Sequence, residues 1–165
     1  MHWKNREGFS LVELAVVLVV AGIILAMGVP NILKHMHSQS VRDSARMLSD
    51  EMRLARQKAV SNGTRNYVYT QWGPGADQYW TGIQTQNPNT GAWSSILWRG
   101  PIELPGRTRQ ISASFGSYVY FYYDPSGRPK TPLDTPSSGS IKVVSTIPSV
   151  NDTAAVNVDL SGSVW

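Results

Sequence analysis

One carboxylate stands by itself in an apolar run. From Phe9 to Val29 the only charged side chain is Glu13. A carboxylate in a membrane-spanning segment costs about 2.5–3.5 kcal/mol on insertion scales, so a residue of this kind needs a partner. A cation at the same depth would serve. Scission between Gly8 and Phe9 would create one, the α-amino group of Phe9, four residues and one helical turn before Glu13. In a staggered array of helices the same amine would equally reach Glu13 of the next copy. The chemistry this spacing suggests is an ion pair created by proteolysis.

Catalytic chemistry finds little footing elsewhere. The histidines are His2, His35 and His37. His35 and His37 are two apart, so on a helix they point to different sides and make a poor metal pair. The sequence holds no H-E-x-x-H, no G-x-S-x-G and no phosphate-binding glycine loop. Asp77, Glu103, Asp124, Asp134, Asp152 and Asp159 are scattered among turn signals, where aspartate serves as a turn former. The chain has no cysteine, which excludes disulfides and thiolate metal sites. No cofactor, no metal and no enzymatic activity are expected.

The element that must position Glu13 is the apolar run itself. As a helix, Phe9 to Val29 spans roughly 32 Å, enough to cross a bilayer core. A short net-positive segment with Lys4, Arg6 and Glu7 precedes it. A simple membrane anchor accounts for the length but not for Glu13. A secretory signal peptide wants a shorter apolar region and a small-x-small cleavage site. The segment GFSLVELAVVLVVAGIILAMGVP instead resembles the cleavage and methylation motif of type IV prepilins and type II secretion pseudopilins. Gly8, Phe9 and Glu13 match that family's glycine, aromatic N-terminal residue and glutamate at mature position five. The resemblance implies a prepilin peptidase cutting between Gly8 and Phe9, N-methylation of Phe9, and Glu13 registering each subunit against its neighbour. It also implies the inner-membrane assembly platform, other pilin or pseudopilin subunits and membrane lipid as partners. The location it implies is a single pass through the bacterial inner membrane with the remaining domain on the extracytoplasmic side. Proline removes a backbone donor and kinks or loosens a helix, and glycine weakens it, so Gly28 and Pro30 mark an expected kink.

Beyond Pro30, apolar residues fall at Val41, Ala45, Leu48, Met52, Ala55 and Ala59, with steps of four and three. That is one stripe of an amphipathic helix. Asn62-Gly63 supplies its stop, with glycine in the left-handed cap. From Thr64 onward, short β-like runs alternate with turn signals. Strands are expected at 66–71, 79–85, 94–98, 117–123, 140–145 and 154–160, and turns at 73–75, 87–91, 124–127 and 136–139. The expected fold class is α+β and pilin-like. A long N-terminal helix, half transmembrane and half packed on the domain, leads into an antiparallel sheet or a two-sheet sandwich. The divisions are a leader at 1–8, a membrane or filament-core helix at 9–30, its amphipathic continuation at 31–63, and a β domain at 64–165.

A second resemblance lies in Ala55-Arg56-Gln57-Lys58-Ala59, Tyr123-Asp124-Pro125-Ser126-Gly127 and Ser161-Gly162-Ser163-Val164. Together these are similar to the H-type pseudopilin and FimT-like minor pilin group. It implies a minor subunit of a type II secretion pseudopilus or a type IV pilus. The DNA-binding members suggest DNA as an alternative partner, through a basic tail with a Gly-Arg-x-Arg pattern. Here Ser163 stands where an arginine would be expected and no basic tail follows, which disfavours it. Formal net charge is +4, a weak excess that permits attraction to anionic partners without demanding it. Tyr118, Tyr120 and Tyr122 alternate with Val119, Phe121 and Tyr123, giving one aromatic-apolar face and one tyrosine-rich face. With Trp72, Trp80, Trp93 and Trp98, the second face reads as half-buried rim, subunit contact or single-strand platform. Arg99, Arg107, Arg109, Arg128 and Lys130 would supply the cations a nucleic acid needs.

Overall fold

The computed structural model describes residues 10–70, 78–106, 108–115, 120–147 and 151–165. Among the described residues, one helix, α1 (Leu11–Asn62), is followed by eight strands: β1 (Arg65–Thr70), β2 (Gln78–Gln84), β3 (Leu97–Glu103), β4 (Thr108–Ser114), β5 (Tyr120–Tyr123), β6 (Pro129–Lys130), β7 (Gly139–Ser145) and β8 (Thr153–Val158). All strand pairs are antiparallel. They form a five-stranded sheet in the order β3-β2-β1-β5-β6 and a three-stranded sheet in the order β4-β7-β8. The α+β, pilin-like layout is therefore realised with two sheets.

The chain divides into two compact units, Met1–Met36 and His37–Trp165. In the first, no described residue is buried. In the second, all six expected stripe residues of α1 are buried: Val41, Ala45, Leu48, Met52, Ala55 and Ala59. Five of them, Ala45 to Ala59, join one core with Val68, Tyr79, Phe121 and Tyr123 of the first sheet and Ile141, Val143, Val156 and Val158 of the second. A stripe this narrow leaves the other faces of the helix to Arg42, Asp43, Arg46, Asp50 and Arg53, which stay exposed. Ser44 lies in the same buried stripe and had no apolar signal to reveal it. Its hydroxyl lies 2.8 Å from the Thr108 hydroxyl and 3.2 Å from the Pro105 carbonyl, tying the helix to the start of β4. The helix ends as its sequence dictates. Gly63 takes φ +62°, and the Thr64 N–H reaches back to the Ala59 carbonyl at 3.2 Å, satisfying an orphan acceptor of the last turn.

The strands depart from expectation in instructive places. β4, Thr-Arg-Gln-Ile-Ser-Ala-Ser, is too polar to signal a strand. Pairing with β7 makes it one, with a register irregularity between Gln110 and Ser112. β3 runs to Glu103, past the Gly100-Pro101 pair that reads as a breaker. As the end strand of its sheet, β3 has a side on which no ladder bond is needed, so proline is tolerated. The turn expected at 136–139 lies earlier. The Thr131 N–H bonds the Thr135 carbonyl and Asp134 takes φ +64°, while Gly139 already begins β7. The expected turn at 73–75 and the strand start at 117–119 fall outside the described residues.

Candidate functional site

At the N-terminal end of α1, Glu13 has a partner within its own turn. Its Oε2 accepts the backbone N–H of Ser10 at 3.0 Å. The Ser10 hydroxyl in turn accepts the Val12 N–H at 3.2 Å, and the Ser10 carbonyl accepts Leu14 N–H, the first bond of the helix. Ser10 is thus the N-cap, its hydroxyl taking the second helical N–H, and Glu13, the third helical residue, reaches back to the cap as in one half of a capping box. The Ser-x-x-Glu pattern before an apolar run would have revealed this arrangement from sequence. Gly8 and Phe9 lie outside the described residues. Phe9 directly precedes the capping serine in the chain.

Downstream of the cap the helix surface is apolar on every side. Leu11, Val12, Leu14, Val16, Val17, Leu18, Val19, Val20, Ile23, Ile24 and Leu25 are all at least half exposed. A helix that is apolar all round cannot be satisfied by water and requires lipid or another protein around it. This one is long and apolar enough to cross a membrane. α1 is continuous through Gly28 and Pro30. Proline has no N–H to offer the carbonyl of the preceding turn. One residue on, the Asn31 side-chain amide donates to the Met27 carbonyl at 3.4 Å.

A second site gathers the three separated motifs Ala55–Ala59, Tyr123–Gly127 and Ser161–Val164. Asp124-Pro125-Ser126-Gly127 and Asp159-Leu160-Ser161-Gly162 turn out to be twin turns of the same build. The Asp124 Oδ1 accepts the Ser126 N–H at 2.9 Å, the Ser126 hydroxyl at 2.6 Å and the Arg128 N–H at 3.0 Å. The Asp159 Oδ1 accepts the equivalent three groups of Ser161 and Ser163 at 2.8, 2.6 and 2.9 Å. Each turn closes on a left-handed glycine, Gly127 at φ +76° and Gly162 at φ +85°. The two turns touch: a Cβ on Gly162 would come within 2.2 Å of the Gly127 carbonyl oxygen. Arg56 joins both to the helix, donating from Nε to Gly127 O at 3.2 Å and from Nη2 to Ser161 O at 3.0 Å. Arg53 adds a bond to Val164 O at 3.0 Å. One helical arginine therefore pins a turn beside each sheet.

The charges of these turns follow from their surroundings. Burial pushes the Asp124 carboxyl up, but the Ser126 and Arg128 hydrogen bonds and the Lys130 ammonium outweigh it and hold the group below the usual carboxylate range. The Ser161 hydroxyl, then the Ser163 N–H, hold Asp159 low. Asp134 is held low above all by the Tyr122 hydroxyl, with Arg65 and Lys130 adding to it. Its Oδ2 lies 2.8 Å from Arg65 Nη2, and its Oδ1 lies 3.4 Å from Lys130 Nζ. These groups brace loops through the hydrogen bonds and ion pairs just described. Among the described residues no three His, Asp or Glu side chains come together to hold a metal ion.

Comparison with known proteins agrees with the first site and is silent on the second. Residues 3–29 match the family model of the prokaryotic N-terminal methylation motif. No curated protein and no solved structure matches the chain. The matched stretch contains Gly8, Phe9 and Glu13 and most of the exposed apolar helix. The motif is prepilin-type and supports a type IV pilin-like subunit, which implies processing by prepilin peptidase and assembly with other subunits. Proteins built on this motif are structural subunits, and the apolar helix suits membrane anchoring.

Proposed function

We propose that this chain is a minor pilin or pseudopilin of the H-type and FimT-like group. It is cut between Gly8 and Phe9, N-methylated on Phe9, and built into a type II secretion pseudopilus or a type IV pilus through the apolar part of α1. The observation that carries the reading is the methylation-motif match over residues 3–29 on a helix whose described large apolar side chains in that stretch are exposed. Before cleavage, the Ser10 N–H supplies Glu13 with a donor. Cleavage adds a cation one residue upstream, and Glu13 exchanges or shares its capping bond with the Phe9 amine of its own chain or of the next subunit. Gly28 and Pro30 are the positions at which α1 bends or loosens on assembly. The sheet domain lies on the extracytoplasmic side of the bacterial inner membrane, and the assembly platform lifts the subunit from the lipid.

The finer assignment to the H-type and FimT-like group is supported by the node at Arg56. The three motifs that carry that resemblance, far apart in sequence, converge on one set of hydrogen bonds. The DNA-binding alternative gains no such support. Among the described cations, Lys130 is engaged by Asp124 and Asp134, and Arg109 belongs to the other sheet from the aromatic face.

The test is co-expression of the full chain with a prepilin peptidase, followed by intact mass and N-terminal analysis. Loss of residues 1–8 with a methyl group on Phe9 is expected. A chain that stays full length, or a different new N-terminus, overturns the reading. Deleting the gene and measuring pilus functions and protein secretion in the same strain then separates the two machines.

A further inference from the structure

The five-stranded sheet has a second face, turned away from the core, and it holds aromatics in an open cleft. Side chains alternate along a strand, so Val68, Phe121 and Tyr123 face the core while Tyr67, Tyr69, Tyr120 and Tyr122 face outward. Tyr69 stands opposite Trp80 on one side and Tyr120 on the other. Trp98 leans in from the end strand, with ring centroids 6.1 Å from Tyr69 and 6.3 Å from Tyr120. Two glycines seat these rings. A Cβ on Gly82 would meet Ile96 at 2.7 Å and Trp98 at 2.9 Å, and a Cβ on Gly100 would meet Trp80 at 2.6 Å. Trp98 remains 43% exposed although its neighbours Tyr67 and Tyr122 are buried. The result is a cleft of about 550 Å³ walled by Tyr69, Trp80, Ile96, Trp98 and Tyr120. That size suits a small ligand or one or two units of a polymer.

The chemistry of the walls selects the occupant. No charged side chain among the described residues lines the cleft. Arg65, the nearest cation on this face in sequence, lies over Trp93 and Tyr122 and is paired with Asp134. A single-stranded nucleic acid needs cations along its phosphates as well as rings for its bases, and here stacking stands without charge. A wholly apolar occupant would offer no hydrogen bond to the phenol hydroxyls of Tyr69 and Tyr120 or the indole N–H groups of Trp80 and Trp98. A pyranose ring meets both demands, with C–H faces for the rings and hydroxyls for their polar edges. We propose that the outer cleft of the five-stranded sheet is a binding site for an uncharged carbohydrate. This inference is independent of which filament the subunit serves.

The experiment is calorimetric titration of the full chain, held in phosphocholine micelles that carry no sugar, with chitopentaose and cellopentaose as probes. Saturable binding of at least one is expected at micromolar to millimolar concentrations. Trp98→Ala and, separately, Tyr120→Ala should weaken it roughly tenfold or more, the loss of one stacking ring. Leu97→Ala, on the same strand but the opposite face, should leave it unchanged, and thermal melting of each variant establishes that it is folded. Absence of binding to both sugars, or equal binding by folded Trp98→Ala and Tyr120→Ala, overturns the proposal. So does binding of oligothymidylate or a proline-rich peptide that depends on Trp98 while the sugars do not bind.

Discussion

Two halves of one helix obey opposite rules. Between Leu11 and Met36, α1 is apolar on nearly every face and buries nothing. Between His37 and Asn62, it is charged on most faces and buries one stripe completely, with Val41, Leu48, Met52 and Ala59 fully shielded. The second half finds its solvent-free partner within the chain, on the two sheets. The described large apolar side chains of the first half stay exposed, so its stability depends on what surrounds it. The comparison teaches that apolar content does not indicate where a helix is buried. The pattern does: a narrow stripe is completed by its own domain, and an all-round surface by lipid or neighbours.

The sharpest way to break this contrast is at Glu13, the one charged residue between Phe9 and Val29. Glu13→Ala should leave cleavage largely intact and abolish incorporation into filaments, read by shearing and immunodetection. Glu13→Gln separates two roles, because its amide oxygen can still cap Ser10 but carries no charge. We expect it to fail as alanine does. Incorporation of the glutamine variant at the normal level would show that capping, and not ion pairing, is what Glu13 supplies.

Next in size are matched truncations on the two halves. Leu48→Ala should destabilise the sheet domain by about 2–5 kcal/mol in denaturant titrations, since it empties a fully buried position. Leu18→Ala, at a position 63% exposed, should change the same melt by less than about 0.5 kcal/mol. Equal effects would mean that the first half also packs on the domain.

The node at Arg56 should respond more mildly. Gly162→Ala forces a side chain into a left-handed backbone and against the Gly127 carbonyl, and should cost about 1–3 kcal/mol. The cap is smaller still. Ser10→Ala should cost about 1 kcal/mol of local stability, seen as faster amide exchange at Val12 with an unchanged domain melt.

The weakest signature is in pH. Asp124 and Asp134 are both held below their ordinary values. Their contribution is therefore fully present above the unfolded carboxylate value near 4 and disappears as pH falls through the lower folded values. The domain melt should fall with acid below about pH 4. Asp134→Asn should flatten that fall, whereas an identical acid profile would place the titration elsewhere.

Much of this was legible in the residues themselves. The methylation motif, the six-residue stripe and the glycine cap at Gly63 are local patterns, each specified by residues within one helix. The capping box was equally legible in Ser10 and Glu13, since its bonds span three residues. β4 was not, because its polar residues become a strand only when β7 offers them a ladder. Nor was the meeting of the twin turns, whose Asp-x-Ser-Gly patterns lie far apart in the chain and which touch each other and share Arg56. The aromatic residues were visible as an alternating run, but not the seats that Gly82 and Gly100 provide for Trp98 and Trp80, nor the lack of charge among the described residues that line the cleft. Sequence alone determines what depends on neighbours along the chain: helix length, stripe, caps and the methylation motif. Tertiary structure decided what depends on groups brought together from a distance, because hydrogen bonds, ring contacts and desolvation act over a few ångströms of space, whatever the separation in sequence.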